Sequence, residues 1–462
     1  MLWLTLRQLK SGNAKGRMKA AKQLWHEPNP EAVPGLAQAL LGDPDADVRQ
    51  VVASALGRVQ SPSRVEPLLK ALTDKDASVV KSAMLGLRRV NDDRVIARLI
   101  PLLKHQDFSV RTSAAQAIDT VRWVPPDKEQ RVWFSVAKGW YERAAALGVD
   151  AVPALRLTLE TGPVSVGVRA LEALGKIPDP SVVRLLCSSL SSKEPVICIA
   201  ACEALSRVGG NEAVQALIPC LQSPHTQVRA ESARALGILG AAETTALISK
   251  LLVDKEWEVR REAASALGKL GNPESIEPLA KVLDDMDGDV REAAAIALSK
   301  TRDRRAVAPL VLALKDELAS VRRIASAGLS RLDPDWITLP ETRAAAEQLK
   351  VAIQDAEPAV RFFVAQLLVN LGEMSPEVLL GFSPEDQLAS PAIKRKRMGI
   401  NLCIALLEDR DRDIRQAAAE ALGRMGGDRA RQALTKASGD PDGDVAAASQ
   451  MALQAIGDEK TN

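Results

Sequence analysis

The chain has 462 residues, 46% hydrophobic, 26% charged and 3% aromatic, the profile of a helical protein with ample material for a buried core. Sixty-one Lys and Arg against fifty-nine Asp and Glu leave a net charge of +2, so nothing pushes the whole chain toward nucleic acid or an anionic membrane, and any charged site must be a local patch. No apolar run approaches the roughly 20 residues that span a bilayer.

The first residues lack the apolar stretch of a secretory signal, and the expected compartment is the cytoplasm. Residues 1–26 carry Arg7, Lys10, Lys15, Arg17, Lys19 and Lys22 without an acid, a bias shared with transit peptides. They read instead as the first copy of a repeat, because Gly16, Arg17, Ala20, Ala21 and Leu24 fall on a template that recurs downstream. Val48, Val79 and Val110 are 31 residues apart, as are Val228, Val259, Val290 and Val321. A period of this size is the signature of a stacked array in which each unit buries its apolar face on its neighbours.

One unit, 272–301, shows the plan. Ile276, Leu279, Val282 and Leu283 have helical spacing, with Pro278 in the first turn, and Val290, Ala294, Ala297 and Leu298 mark a second helix. Asp285, five residues before the valine, suits the turn between them, where a short side-chain oxygen accepts from free amides at the helix start. Asp43, Asp74, Asp254, Asp316, Asp355, Asp409 and Asp440 share that offset, with Thr161, Ser192 and Ser223 in three other copies. Pro44 and Pro441 fit a first helical position. Gly57, Gly175, Gly237, Gly268 and Gly423 mark tight packing or helix ends.

These stretches, such as Asp47-Val48-Arg49 through Ala55-Leu56-Gly57 and Glu258-Val259-Arg260 through Ala266-Leu267-Gly268, resemble the HEAT-repeat family, in the short bacterial and archaeal form named for phycobilisome lyase subunits. The resemblance covers nearly the whole chain and implies an all-α fold, an α-solenoid. About thirteen stacked antiparallel helix pairs are expected, their second helices starting near Gly16, Val48, Val79, Val110, Val166, Ile197, Val228, Val259, Val290, Val321, Val360, Ile414 and Val445. A single body over 1–462 follows, with repeats at 1–121, 148–331, 346–369 and 401–462. Irregular steps place insertions at 122–147, 332–345 and 370–400. The first is aromatic, with Trp123, Trp133, Phe134, Trp140 and Tyr141, and reads as a satellite core whose helix, opened by Pro125-Pro126-Asp127, puts Trp133, Ala137, Trp140 and Ala144 on one face. The third holds Pro376, Pro384 and Pro391 and then Lys394-Arg395-Lys396-Arg397, read as a solvated loop.

An arginine follows the template residue as Arg17, Arg49, Arg111, Arg229, Arg260, Arg291, Arg322, Arg361 and Arg415. A series of guanidinium groups one repeat apart suits a polyanion; the family resemblance implies instead a structural ladder, each arginine pairing with an aspartate of a neighbouring turn. Val80, Gly167, Cys198 and Ala446 interrupt it, which makes 160–205 a candidate bend or specialised contact.

No catalytic, metal or cofactor site is assignable. Of the three histidines only His26-Glu27 matches the His-Glu pairs of the di-iron hydroxylase branch of this family. Cys198 and Cys202 lack a second pair for zinc, Asp284, Asp285, Asp287 and Asp289 lack a calcium-loop pattern, and the five cysteines sit in apolar helical patterns as reduced core thiols. On the groove-facing positions, two, three and six after the valine, Lys19, Lys22, Lys81, Arg169, Arg234, Arg261 and Arg323 meet Glu172, Glu203, Glu231, Glu262, Glu292 and Glu420. That mixture disfavours a nucleic-acid groove. Apolar Leu85, Val168, Ile199, Ile296, Ile324, Phe362 and Phe363 share those positions, and Phe108 and Trp257 sit at the mouth of the inter-helix turn. Aromatic and arginine anchors mark protein recognition. The leading expectation is a non-catalytic scaffold that binds a protein or peptide along its concave face, with Phe108, Trp257, Arg261, Arg323 and Phe362 as anchors. The alternative, implied by the resemblance, is an accessory or chaperone-like role in enzyme chemistry such as bilin attachment, and nucleic-acid binding through the basic segments ranks third.

Overall fold

The computed structural model describes residues 2–88, 90, 92–352, 368, 391–409 and 411–458. Among these the secondary structure is helical and no strand occurs, the all-α solenoid fold that the period implies. The chain forms two compact units, Met1–Ala235 and Leu236–Asn462.

In the first unit the inner helices Ala14–His26, Ala46–Arg58, Ala77–Leu87 and Phe108–Asp119 pack in succession, each also covered by an outer helix of its own pair. Each starts at a side-chain cap. Asp45 accepts from the amides of Asp47 and Val48, and Asp76 and Asp107 repeat the arrangement. The cap is therefore the residue three before the valine. Asp43 and Asp74, five before it, close the preceding turn, each accepting at 2.9 Å from the amide two residues on. Pro44 precedes the cap, so it belongs to that turn and not to the first helical position.

Between inner helices the contact is made by alanine and glycine. Val48, Val52, Ala53, Ala55 and Leu56 are fully buried, as are Leu36 and Leu68 from outer helices. Each buried leucine contributes about 2 kcal/mol by its transfer from water. A Cβ on Gly57 would lie 2.6 Å from Gly86 Cα, and in the second unit a Cβ on Gly268 would lie 2.7 Å from Ala297 Cα. The glycines set the close approach of successive helices; they are packing positions, not ligand loops.

The aromatic insertion builds helices Lys128–Ala137 and Tyr141–Ala145. Phe134 meets Trp123 edge-on at 5.7 Å and Trp140 at 5.9 Å, and Phe134 and Ala137 join the core of this unit with Trp123 and Trp133 against it. The single continuous helical face expected through Trp140 is not formed. Gly139, at φ 76°, breaks the helix after Ala137, and Trp140 stands before the next one, 38% exposed, while Ala137 and Ala144 are buried.

Among the described residues of the second unit the inner helices are Trp257–Leu270, Gly288–Lys300, Ala319–Leu332, Arg412–Met425 and Gly443–Asp458. The expected insertion at 332–345 is shorter than its sequence step, because a helix already begins at Pro340 and packs on the outer helix Val307–Ala313. The Pro/basic stretch also differs: Pro391–Leu406 is one helix, so the backbone of the lysine-arginine run at 394–397 is helical and not a loop. The repeat around Val360, Arg361, Phe362 and Phe363 lies outside the described residues.

Within each unit, where both partners are present, an ion pair ties one repeat to the next. Arg17 to Asp43, Arg49 to Asp74, Arg260 to Asp285, Arg291 to Asp316 and Arg415 to Asp440 are bidentate, with Nε to Oδ2 distances of 2.7–2.9 Å. The remaining nitrogen, Nη1, donates back to carbonyls of the arginine's own turn, as Arg49 does to Asp43 O at 2.8 Å and Arg322 to Asp316 O at 2.7 Å. Arg229 likewise donates to Ser223 O at 3.0 Å. Arginine and carboxylate come and go together. Where Val80 replaces the arginine, His105 stands in the aspartate's place; Gly167 and Cys198 are matched by Ser192 and Ser223. The Cys198 thiol takes over the turn contact, 3.2 Å from Leu190 O.

Arg111 breaks the rule. It is 2% exposed, donates Nη1 to His105 O and Gln106 O, and finds Thr161 Oγ1 at 2.8 Å where its counterparts find a carboxylate. Burial pulls this guanidinium below its usual range, with only partial compensation from the Asp107 and Tyr141 side.

Three outcomes follow. Asp74→Ala leaves Arg49 buried without its partner and should cost about 3 kcal/mol in chemical denaturation, whereas Asp74→Asn should cost less because its oxygen still accepts from the Asp76 amide. Burial pushes the Asp74 carboxyl up, but the bonds from Arg49 and the Asp76 amide outweigh this and hold it below its ordinary 3.8. A carboxyl depressed by folding stabilises fully above that ordinary value, so the Asp74 increment should vanish on acidification below about pH 4. Thr161→Asp should raise stability by about 1 kcal/mol by completing the Arg111 rung; unchanged or lowered stability would show that Arg111 needs no carboxylate.

Candidate functional site

The ladder leaves few functional side chains uncommitted, and in the second unit they gather at the start of the helix Trp257–Leu270. Glu256 caps it without a side-chain bond, so Trp257 opens the helix at the edge of the turn, 36% exposed. One turn along, Arg261 lies on the same face and sets its guanidinium 5.3 Å from the indole centroid, while its Nη2 donates to Glu262 Oε1 at 2.9 Å.

Trp257 walls a cleft of about 820 Å³ together with Leu252, Val253, Pro278 and Met286, over a floor made by the Arg260 and Asp285 pair. Val253 and Met286 are 85% and 95% exposed, which is unusual for apolar side chains flanking an indole. A second cleft of about 680 Å³ shares Asp284 and Asp285 and continues past Leu283, Pro309 and Leu312. On the inner seam, Arg261, Glu262, Glu292, Ile296 and Lys300 line a hollow of about 350 Å³. Arg261 thus stands between the turn cleft and the inner seam. Arg323, two inner helices on, is exposed in the same unit.

The other expected anchors are placed differently. Phe108 belongs to the first unit and is half-buried, its ring 5.5 Å from the Arg111 guanidinium and next to Gly162, where an added Cβ would meet it at 3.6 Å. It packs between repeats. Phe362 and Arg361 lie outside the described residues. The sequence reading passed over Val253 and Met286; the signal available was an apolar residue inside the polar turn Asp284–Asp285–Met286–Asp287.

Four of the five thiols are held protonated by their surroundings, while the hydrogen bond from Cys202 draws the buried Cys220 down. Burial pushes the Cys187, Cys198 and Cys403 thiols up. A hydrogen bond shared with Cys220, together with burial, pushes Cys202 up further. Cys198 faces the carbonyls of Leu190 and Ser192 while Cys202 faces Cys220, so the two do not converge on one point as zinc ligands would. Among the described residues no group of His, Cys, Asp and Glu is arranged to hold a metal ion, and no helix is long and apolar enough to cross a membrane.

Known proteins resemble this chain in three ways. Two curated relatives, both bilin biosynthesis proteins PecE, are similar over part of it: that of Mastigocladus laminosus is 34% identical over 140 residues, 30% of this chain and 52% of its own, and that of a Nostoc species is 29% identical over 109 residues, 24% and 43%. The chain spans about half the length of the curated relatives it matches. Among solved structures, an engineered protein is 22% identical over 81% of this chain and 99% of its own with a TM-score of 0.37, and the Kap95:Nup1 complex is 14% identical over 98% and 66% with a TM-score of 0.41. HEAT repeats match at residues 4–88, 152–237, 214–299, 244–330 and 387–458, well over half of the sequence, and the chain belongs to the HEAT-repeat family.

Proposed function

We propose that this protein is a non-catalytic scaffold that binds another protein or an extended peptide, with the Trp257 and Arg261 pair as its centre. The observation that carries this is the cleft beside Trp257: the fold needs its apolar side chains inside, yet Val253 and Met286 stand in solvent around an indole already held by a cation. An apolar side chain of a partner inserted between Trp257 and Met286 would remove all three from water, and aromatic and arginine anchors of this kind dominate binding energy. Arg261 and Arg323 then offer charge-assisted contacts along the inner face. Stacked repeats are suited to this role because the fold supplies a long, regular surface and no chemistry of its own.

A second reading rests on the similarity to the PecE bilin biosynthesis proteins: an accessory or chaperone-like part in enzyme chemistry such as bilin attachment. No residue here maps to a bilin site, and co-expression with a bilin source is its test, since a lyase-like accessory should carry visible colour through purification.

For the scaffold, the tagged chain is purified from its native cells and the eluate examined by mass spectrometry and absorbance. A stoichiometric, colourless protein partner is expected. Arg261→Glu combined with Arg323→Glu should lower its capture at least tenfold, equivalent to about 1.4 kcal/mol, with thermal unfolding unchanged. Undiminished capture discards this surface, and a coloured eluate favours the bilin reading.

A further inference from the structure

The aromatic insertion of the first unit ends in an arrangement that packing does not require. The break at Gly139 delivers Trp140 to the surface, where Lys138 Nζ lies 5.4 Å and Arg143 Cζ 4.8 Å from the ring centroid. From the neighbouring helix Val164–Leu174, Arg169 reaches across, its guanidinium 4.9 Å from the Tyr141 ring and its Nη2 donating to Gly139 O at 3.2 Å. Two further cations are neutralised, Lys138 by Asp119 at 2.8 Å and Lys176 by Glu142 at 2.5 Å. Arg143 and Arg169 are exposed and, among the described residues, form no ion pair; Glu142, already held by Lys176, is the carboxylate whose charge reaches Arg169. The patch thus gathers four cations, Lys138, Lys176, Arg143 and Arg169, of which only the two lysines are paired with carboxylates, in a chain whose whole net charge is +2.

In the ladder the guanidinium that ties one repeat to the next has a carboxylate on it, as in the Arg49 and Arg260 rungs, whereas Arg111 meets a threonine and Arg58, among the described residues, only the Trp25 ring. Arg143 and Arg169 are held in place by rings and have none. Seating a guanidinium on an aromatic ring restrains its side chain and leaves its in-plane N–H donors directed outward, the geometry that takes a carboxylate through two parallel bonds. We propose that Arg143 and Arg169 form a receptor for the carboxylate side chains of an acidic segment of a partner protein, with Trp140 as the apolar contact between them. Single-stranded nucleic acid fits less well. Stacked bases need an open aromatic face, whereas Trp140 is engaged by Lys138, Arg143 and the edge contact with Phe134. This inference shares the protein-binding class with the scaffold reading but uses a different unit and different residues, so each fails separately.

The test uses the full chain and a fluorescein-labelled hexaglutamate peptide, read by anisotropy at low salt beside hexaglutamine and an oligothymidylate of similar length. Hexaglutamate should bind, hexaglutamine should not, and Arg143→Gln with Arg169→Gln should weaken binding at least tenfold, while Lys269→Gln with Arg302→Gln in the other unit should leave it within twofold. Should the double variant lose its cooperative thermal transition, Arg143→Gln alone, which disturbs only the exposed Trp140 face, should still weaken binding severalfold. Failure of the native chain to bind hexaglutamate up to millimolar concentration, equal binding by the Arg143 variants, or tighter binding of oligothymidylate through the same two arginines would each overturn the proposal.

Discussion

A buried guanidinium is tolerable only when its donors are met, and the ladder arginine meets this condition in two directions. Nη1 bonds carbonyls of its own inter-helix turn, while Nε and Nη2 bond the aspartate of the next turn, 25 residues ahead in the Arg49, Arg260, Arg291 and Arg415 rungs. The same aspartate accepts from the amide two residues on and so shapes the turn that leads into its own helix. One residue pair therefore fixes a turn, a helix start and the register of one repeat on the next. Hydrophobic burial supplies more free energy, but it is tolerant of sliding; a bidentate pair is not.

That coupling explains why the rule lapses where it does. The inserted helices Lys128–Ala137 and Tyr141–Ala145 bring Tyr141 into the neighbourhood of Arg111 and lengthen the reach from Arg111 to the next turn to 50 residues, where a threonine waits. The following two steps have neither arginine nor aspartate, and small residues suffice. Cys198 bonds its turn through a thiol, while the Ser192 and Ser223 hydroxyls accept the turn amides. Without the guanidinium the carboxylate would be a liability, buried with no cation, so losing both is cheaper than losing one. Arg111 is the one rung where only half was lost, and it is the rung adjoining the insertion.

The repeat, the helix pairing and the arginine series were legible in the sequence because each is periodic, and periodicity survives averaging over many copies. Finer placement was not. The aspartate three before the valine, not five, is the helix cap, and only the geometry of the turn separates two acceptors two residues apart. Trp140 shares a helical face with Trp133 on paper, but a single positive φ at Gly139 rotates it out of that face. The start of the helix at Pro340 and the helical course of 391–406 escaped for a related reason: both lie where the period is interrupted, so no template constrains the reading. Trp257 and Arg261 were visible as candidates, whereas the exposed Met286 beside them was hidden inside a turn whose composition looks like ordinary solvated loop.

What the fold leaves over is where a partner can be recognised. Positions four, five, seven and eight after the valine are mostly small or aliphatic and buried at the close approach of successive inner helices, as Ala263, Ala264, Ala266 and Leu267 illustrate. The residue after the valine is committed to the ladder. Only positions two, three and six, the inter-helix turn and the insertions are free to vary without loss of packing, and their charges alternate: Arg261 beside Glu262 and Glu292 in the second unit, Arg143 and Arg169 near Glu142 in the first. On the proposed scaffold reading, a partner of such a surface would be selected by the spacing of opposite charges around exposed indoles, not by net charge. Affinity would then come from desolvating Trp257 or Trp140, and specificity from how few sequences place carboxylates and cations to match both neighbours.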